Sequence, residues 1–298
     1  MKTKKNVAIV FCLALLVFSF TKSASCAAGD TNAAEFRIVT SFYPIYIATL
    51  NITKDIPGIT VMNLTKPLTG CLHDYQLSPD DLKQLARADA FIINGAGMES
   101  FMDKAMREIP DLKIINASDG IKFITDRNGI NPHVWLSITL AVKQIENITA
   151  ALILRDPAHA SLYRRNCDDY LRRLELLRGR MTNELKQLNT NKIITFHEAF
   201  PYFAREFNLN IVAVVQREPG SEPNAREMAE TIKLIKKHGA RAIFIEPQYP
   251  DKSAQAIARE TGATVCVLDP AVTGPVNENA YLQIMENNLA ALVKTLKD

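Results

Sequence analysis

The sequence predicts an α/β protein with two lobes, each a mostly parallel sheet with flanking helices, joined by one long rigid α-helix. Short β-branched and apolar runs alternate with helical stretches, which is the pattern of a parallel sheet covered by helices. The alternation occurs twice, and a single helical stretch of about 30 residues separates the two sets. A chain of 298 residues is long enough for two lobes of ordinary size.

The first set of elements is predicted to form an N-terminal lobe over residues 36–156. Its strands are short β-branched and apolar runs, at 36–40, 59–64, 90–94 and 113–116. A helix is predicted to begin after Ser78, because serine can cap it, Pro79 suits the first turn and the two following aspartates suit the positive end of the helix dipole. A further helix is predicted from about 137 to 154.

The connecting helix is predicted over residues 157–188. Apolar side chains recur there mostly at three- and four-residue steps: Leu162, Tyr170, Leu171, Leu174, Leu177, Met181, Leu185 and Leu188. A helix of that length would be about 45 Å long, which is more than one small lobe requires. We therefore interpret it as a stiff connector between lobes, although an ordinary long surface helix fits the same pattern.

The second set of elements is predicted to form a C-terminal lobe over residues 189–298. Its strands are expected at 193–196, 209–215, 242–245 and 264–268. Its helices are expected to begin near Ala199, Asn224, Asp251 and Asn277. The same strand–helix alternation again predicts a mostly parallel sheet.

The first 28 residues have the order of a secretory signal. Three lysines precede an apolar run at 7–20, and small residues follow through Ala28. The apolar run is too short for a comfortable permanent anchor, so we expect an exported protein, periplasmic or membrane-anchored outside the cytoplasmic membrane. Cys26 could become a lipidated N-terminal residue, whereas Ser23 sits where a lipoprotein signal normally has a larger apolar residue.

Composition narrows the class of protein. Hydrophobic residues are 47% and charged residues 22%, as in a globular protein with a real core. The net charge of +3 is spread along the chain, which argues against nucleic-acid binding. Beyond the export segment, Cys71, Cys167 and Cys266 cannot all pair within one chain. A Cys167–Cys266 disulfide is conceivable, but small buried hydrophobes are the preferred interpretation.

Candidate metal ligands follow predicted strands, where open α/β sheets bind their ligands. His197, Glu246 and Asp269 each come directly after a predicted strand of the second lobe. In the first lobe, His73 lies in the loop after strand 59–64, and His133 lies just before a helix. A lone histidine at such a position is more often a hydrogen-bonded structural residue than a metal ligand, and this holds for each of the three taken singly.

Three neutral imidazoles and one carboxylate can form a closed four-coordinate site for Zn²⁺. Nitrogen-rich ligation favours Zn²⁺ over Mn²⁺, because Mn²⁺ prefers more oxygen donors. The spacings between these residues are long, so no local pattern by itself supports the site.

Six sequence motifs occur along nearly the whole mature chain: TGCLHDYQLSP at 69–79, NPHVWL at 131–136, FHEAFPYF at 196–203, EPG at 218–220, FIEPQ at 244–248 and VLDP at 267–270. In sequence and in order, they resemble the motifs of the metal-binding solute receptors of zinc and manganese ABC importers.

The resemblance implies two α/β lobes joined by one long rigid helix, with the metal between them. It implies that the first lobe contributes the metal ligands His73 and His133, and that the second lobe contributes His197 and Asp269. Manganese-type members often have a carboxylate where this chain has His197, which favours zinc. Many zinc-type members carry a His-rich loop, but residues 122–130 contain no histidine.

Two nearby side chains have open roles. Glu246 could accept a hydrogen bond from an imidazole N–H, replace Asp269 as a ligand, or form a salt bridge, and we favour the first. Cys71 could be an extra soft ligand, but we favour a small loop residue that faces away, since the four ligands already fill a zinc site.

The predicted function is that of an extracytoplasmic, non-enzymatic receptor, expected to be monomeric, which captures Zn²⁺ and delivers it to the permease of an ABC importer. One alternative is a Mn²⁺-preferring receptor of the same family. Another is an exported zinc hydrolase with Glu198 or Glu246 as general base, although neither a His-Glu-x-x-His helix nor a nucleophile elbow is present. Cell adhesion, with a structural metal, is the least favoured alternative.

Overall fold

Two parallel four-stranded sheets form the framework of the protein and confirm the predicted fold class. The computed structural model describes residues 35–65, 72, 75–126, 129–215 and 223–297. The predicted signal segment 1–28, with Cys26, lies outside these residues, as do Cys71, His73 and the motif at 218–220. Within the described ranges, no helix has the length and apolar character needed to cross a membrane.

The first sheet has the strand order β2-β1-β3-β4, and all its strand pairs are parallel. Its strands are β1 Phe36–Thr40, β2 Ile59–Asn63, β3 Ala90–Ile93 and β4 Ile114–Asn116. The helices between them are α1 Tyr43–Ile52, α2 Pro79–Ala86 and α3 Met102–Glu108. The predicted strands are therefore right within one residue at each end.

The start of α2 is set by a capping box, in agreement with the sequence. The Ser78 hydroxyl accepts a hydrogen bond from the Asp81 backbone N–H at 3.2 Å, and the Asp81 carboxylate accepts one from the Ser78 N–H at 2.7 Å. The Tyr75 hydroxyl donates to the same carboxylate at 2.9 Å. In the chain, this end of α2 comes shortly after His73.

The connection between the sheets contains the long helix. Its elements are the hairpin strands β5 Thr125–Asp126 and β6 Gly129–Ile130, a 3₁₀ turn Val134–Leu136, α4 Ile138–Arg155, a 3₁₀ turn Pro157–His159 and α5 Ala160–Leu185. The hairpin is absent from the sequence-based prediction. The α5 helix has 26 residues, about 39 Å at 1.5 Å per residue, and begins after the 3₁₀ turn rather than at residue 157.

The second sheet has the strand order β10-β9-β7-β8 and is likewise parallel throughout. Its strands are β7 Lys192–Thr195, β8 Asn210–Val214, β9 Ala242–Ile245 and β10 Thr264–Val267. The accompanying helices are α6 Pro201–Glu206, α7 Ala225–His238, α8 Lys252–Thr261 and α9 Ala280–Leu296. The α7 helix begins next to Asn224, as expected, and the Asn224 side chain caps it. Gly239 ends that helix in the left-handed conformation that glycine adopts without strain.

One apolar core runs through both lobes. It includes Ile38 of β1, Leu174 of α5, Phe203 of α6 and Leu292 of α9, all with side chains buried completely. A second, smaller cluster packs around Ile194 in the second lobe. Because close-packed interiors resist deformation, a shared core opposes large rotations of one lobe against the other.

The cysteines within the described residues are free thiols. Cys167 is buried on α5, and the Cys266 Sγ lies 3.1 Å from the Thr295 Oγ1. The conceivable Cys167–Cys266 disulfide is therefore absent; Cys167 packs as a small buried side chain, and Cys266 is partly buried.

Candidate metal centre

His133 lies directly before the 3₁₀ turn that leads into α4, and only 2% of its surface is exposed. Its backbone N–H donates to the Asn131 Oδ1 at 3.1 Å, and its Nδ1 lies 3.0 Å from the same oxygen. The ring also packs 5.2 Å from the Trp135 ring, centroid to centroid. The imidazole is thus held on two sides, which favours a single orientation.

His197 follows β7, and its side chain meets Glu246, which follows β9. The two strands are neighbours in the sheet, with Thr195 opposite Phe244, so residues just beyond them share one sheet edge. The His197 Nδ1 lies 2.9 Å from the Glu246 Oε1. The exposed fractions are 3% for His197 and 1% for Glu246, so this contact is shielded from water.

The two histidines face each other although they come from different lobes. Their ring centroids are 5.1 Å apart, and the ring planes are inclined by 80°. Two nearly buried imidazoles at this separation form a nitrogen-rich environment that suits a borderline-soft dication such as Zn²⁺.

Asp269 follows β10, and its backbone is held by the side chain of Asn288. Its N–H donates to the Asn288 Oδ1 at 2.8 Å, and its carbonyl accepts from the Asn288 Nδ2 at 2.8 Å. Burial raises the pKa of the Asp269 carboxyl to about 6, although a hydrogen bond from the Ala271 N–H acts in the opposite direction. The negative charge of Glu246 raises this pKa further. A bound cation would offset the repulsion between the two carboxylates.

The full predicted ligand set extends beyond the described residues. Leu72, next to His73, is completely buried, but His73 itself lies outside the described ranges. In the part of the chain that the structure describes, no group of three or more His, Cys, Asp or Glu side chains is arranged to hold a metal ion. The structure shows two pairwise contacts, between the rings of His133 and His197 and between His197 and Glu246, and the four-ligand site stays a prediction.

Sequence reasoning assigned no role to Asn131, which contacts both histidine loops. Besides its contacts with His133, its Nδ2 donates to the Glu198 carbonyl at 2.8 Å. The available signal was an asparagine two residues before a histidine, since asparagine side chains often bond to backbone two residues on.

A buried polar network supports the turn before His133. The Glu99 carboxylate accepts from the backbone N–H groups of Asn94 at 2.7 Å and Gly95 at 3.1 Å, and burial raises the Glu99 pKa. The Asn94 Nδ2 in turn donates to the Pro132 carbonyl at 3.0 Å, and the Gln144 Nε2 donates to the Asn94 Oδ1 at 2.8 Å. A satisfied buried network of this kind rigidifies the backbone that it holds.

Known proteins with similar sequences and folds bind metals. The family model described as "ZnuA: Zinc-uptake complex component A periplasmic" matches residues 38–295. The high-affinity zinc uptake system protein ZnuA of Bacillus subtilis (strain 168) is 30% identical over 304 residues, covering 95% of this chain and 94% of that protein. The iron-binding protein YfeA of Yersinia pestis is 29% identical over 259 residues, covering 83% and 82% respectively.

A solved structure shares the fold over almost its whole length. The solute-binding protein FpvC of Pseudomonas aeruginosa, in complex with Mn²⁺, matches with a TM-score of 0.78 and 28% identity. The match covers 88% of this chain and 98% of FpvC. The names of these relatives include zinc, iron and manganese, so the similarity shows a divalent-metal receptor without selecting the metal.

The match confirms the motif-based resemblance and the prediction of a non-enzymatic protein, because the family consists of solute-binding transport proteins. The hydrolase alternative is therefore set aside. Family members act outside the cytoplasm and bind the metal as cargo rather than as a cofactor. Since the family model spans residues 38–295, the chain belongs to the ZnuA family of metal-binding solute receptors of zinc and manganese ABC importers.

Proposed function

We propose that this receptor captures Zn²⁺ between its lobes and delivers it to the permease of an ABC importer. The proposed ligands are His73 and His133 from the first lobe, and His197 and Asp269 from the second. The observation that carries the proposal is the pair of nearly buried imidazoles, His133 and His197, which come from opposite lobes and lie 5.1 Å apart.

The choice of zinc rests on the donor atoms. Three imidazole nitrogens and one carboxylate oxygen suit tetrahedral Zn²⁺, whereas Mn²⁺ prefers a larger share of oxygen donors. The zinc uptake protein of Bacillus subtilis supports this choice by similarity. The Mn²⁺ complex of FpvC supports the runner-up, a Mn²⁺-preferring receptor, for which Glu246 could add an oxygen donor.

Glu246 is proposed as the partner that orients His197 rather than as a ligand. A buried carboxylate 2.9 Å from the Nδ1 accepts a hydrogen bond from the Nδ1–H, which leaves the lone pair on the Nε2.

Loading is proposed to involve local loop movement. The core that runs through α5 and α9 resists rotation of whole lobes, as described above. The receptor is further proposed to act as a monomer after export, either free in the periplasm or anchored at Cys26.

Metal analysis followed by titration tests this proposal. Protein purified without added metal should contain zinc by elemental analysis, and calorimetry on the stripped protein should give tighter binding of Zn²⁺ than of Mn²⁺. The variant His197→Asp replaces a nitrogen donor by an oxygen donor and should shift the preference towards Mn²⁺. Tighter Mn²⁺ binding by the unaltered protein would support the runner-up, and binding of neither metal would refute both.

A further inference from the structure

The orientation of the Asn131 amide is settled by its neighbours. Its Oδ1 lies 3.1 Å from the His133 backbone nitrogen, which can only donate, and its Nδ2 lies 2.8 Å from the Glu198 carbonyl, which can only accept. An amide turned by 180° would place two donors together at one end and two acceptors together at the other. The assignment of oxygen and nitrogen therefore follows from the hydrogen bonds.

This orientation determines which His133 nitrogen carries the proton. The Asn131 Oδ1 is only an acceptor, so the His133 Nδ1, 3.0 Å away, must be the donor. A neutral imidazole with its proton on the Nδ1 has its lone pair on the Nε2. The Nε2 is then the nitrogen able to bind a metal.

Asn131 is itself held firmly in place. Its backbone N–H donates to the Ile124 carbonyl at 2.9 Å, and its carbonyl accepts from the Tyr202 hydroxyl at 2.8 Å. The Tyr202 hydroxyl also accepts from the Ile124 N–H at 2.9 Å. The amide is thus aimed by a fixed backbone, rather than by a free loop.

The same amide links the two histidine loops. Glu198, whose carbonyl accepts from the Asn131 Nδ2, directly follows His197 in the chain. One end of the side chain therefore orients the first-lobe imidazole, and the other end holds the backbone next to the second-lobe imidazole. His197 obtains its own tautomer from a different partner, the Glu246 carboxylate.

We infer that Asn131 is a positioning residue of the metal centre, which sets the tautomer of His133 and ties its loop to that of His197. The inference rests on the proposed role of His133 as a ligand. It requires that the metal-free protein already has the His133 proton on the Nδ1, so that no tautomer change accompanies metal binding.

Nitrogen-15 NMR of the metal-free protein, at a pH where His133 is neutral, tests the tautomer directly. The unaltered protein should show His133 protonated on the Nδ1. Asn131→Ala should lose this signature and bind Zn²⁺ about 10- to 100-fold more weakly, which is the usual effect of removing a partner of a metal-bound histidine. Asn131→Asp retains an acceptor for the Nδ1 proton and should retain the signature, while losing the donor to Glu198.

Tyr202→Phe is the matched control. It removes the hydroxyl's bonds to the Asn131 carbonyl and the Ile124 N–H, but it leaves the Asn131 amide and the bond from the Asn131 N–H to the Ile124 carbonyl, so it should keep the Nδ1–H signature. A proton on the Nε2 of His133 in the unaltered protein would overturn the inference, whether or not the variants fold. So would an Asn131→Ala protein with unchanged tautomer and unchanged Zn²⁺ affinity. If the unaltered protein shows the Nδ1–H signature but binds no Zn²⁺, the proposed function fails separately.

Discussion

The Trp135 indole Nε1 donates a 2.7 Å hydrogen bond to the carbonyl of Pro270, and both groups are buried. Trp135 lies two residues after His133, and Pro270 directly follows Asp269. The bond therefore joins the loops of two proposed ligands that are far apart in the chain. The Tyr281 hydroxyl donates a 2.7 Å hydrogen bond to the Trp135 carbonyl, so Trp135 is held through its backbone as well as through its side chain.

Replacing Trp135 with Phe should destabilise the protein. The Pro270 carbonyl would lose its buried donor, which costs about 1–3 kcal/mol, and the smaller ring would weaken the edge contact with Phe42. Urea denaturation of the metal-free protein measures the loss. Zn²⁺ affinity should fall as well, because the loops of His133 and Asp269 are no longer joined.

Tyr281→Phe serves as the comparison for this change. It removes one hydrogen bond to the same segment while leaving the indole bond to Pro270 intact. It should lower the free energy of unfolding but change Zn²⁺ affinity less than Trp135→Phe. Equal affinities in the two variants would show that the indole bond has no particular effect on the site.

Replacing His197 with Ala should reduce Zn²⁺ affinity more than any change to a partner of a ligand, which typically costs about 10- to 100-fold. The variant loses a donor atom and leaves the Glu246 carboxylate buried without its imidazole. Calorimetric titration measures the effect. His238→Ala, at the C-terminal end of α7, is the control and should bind Zn²⁺ normally. Unchanged affinity in His197→Ala would remove His197 from the ligand set.

Replacing Asp269 with Asn should stabilise the metal-free protein at pH 7. Burial raises the pKa of this carboxyl from 3.8 to about 6, so its contribution to stability is fully present below pH 3.8 and is lost as pH rises through about 6. The loss is on the order of 3 kcal/mol, and asparagine, which does not ionise, avoids it. Its side-chain oxygen can still accept from the Ala271 N–H.

Chemical denaturation in the presence of a chelator, at pH 4 and pH 7, measures this difference. The two proteins should have similar stability at pH 4, and Asp269→Asn should be the more stable at pH 7. The unaltered protein should also lose Zn²⁺ affinity as pH falls through about 6, because protons then compete with the cation for the Asp269 carboxylate. A stability difference that is independent of pH would contradict the assignment to Asp269.

Replacing Gly274 with Ala should disrupt the loop that follows Asp269. Gly274 has φ +151°, and a Cβ there would lie 2.5 Å from the Tyr43 hydroxyl oxygen. The Tyr43 side chain would have to move and would lose its 2.8 Å hydrogen bond to the Pro275 carbonyl, at a cost of about 0.5–1.5 kcal/mol beyond the backbone strain.

Gly97→Ala is a comparison variant that strains a backbone with positive φ without a side-chain clash. Gly97 has φ +80°, and a Cβ there would meet nothing within 4 Å. It should cost about 1–2 kcal/mol, and Gly274→Ala should cost more in the same thermal or urea unfolding experiment. Equal losses would show that Tyr43 moves aside without penalty.

Local chemistry predicted most of the elements that lead to the site. The strands ending before Glu246 and Asp269 follow from short apolar, β-branched runs, and the start of α2 follows from Ser78, because both depend on residues adjacent in the chain. The end of α5 was predicted three residues too late, since fraying at helix ends leaves little trace in a periodic pattern. The hairpin at 125–130 was missed because its strands are two residues long.

His197, Glu246 and Asp269 could thus be identified as candidate ligands from the amino-acid order, together with the expectation that strand ends meet at one sheet edge. Their partners could not. Asn131 meets Glu198, and Trp135 meets Pro270, only because two separately formed sheets pack against a shared core with particular strand orders. In the first contact the two residues are 67 positions apart in the chain, and in the second they are 135 positions apart. Periodic and capping patterns do not reach over such separations, so the packing of the lobes alone determines these contacts.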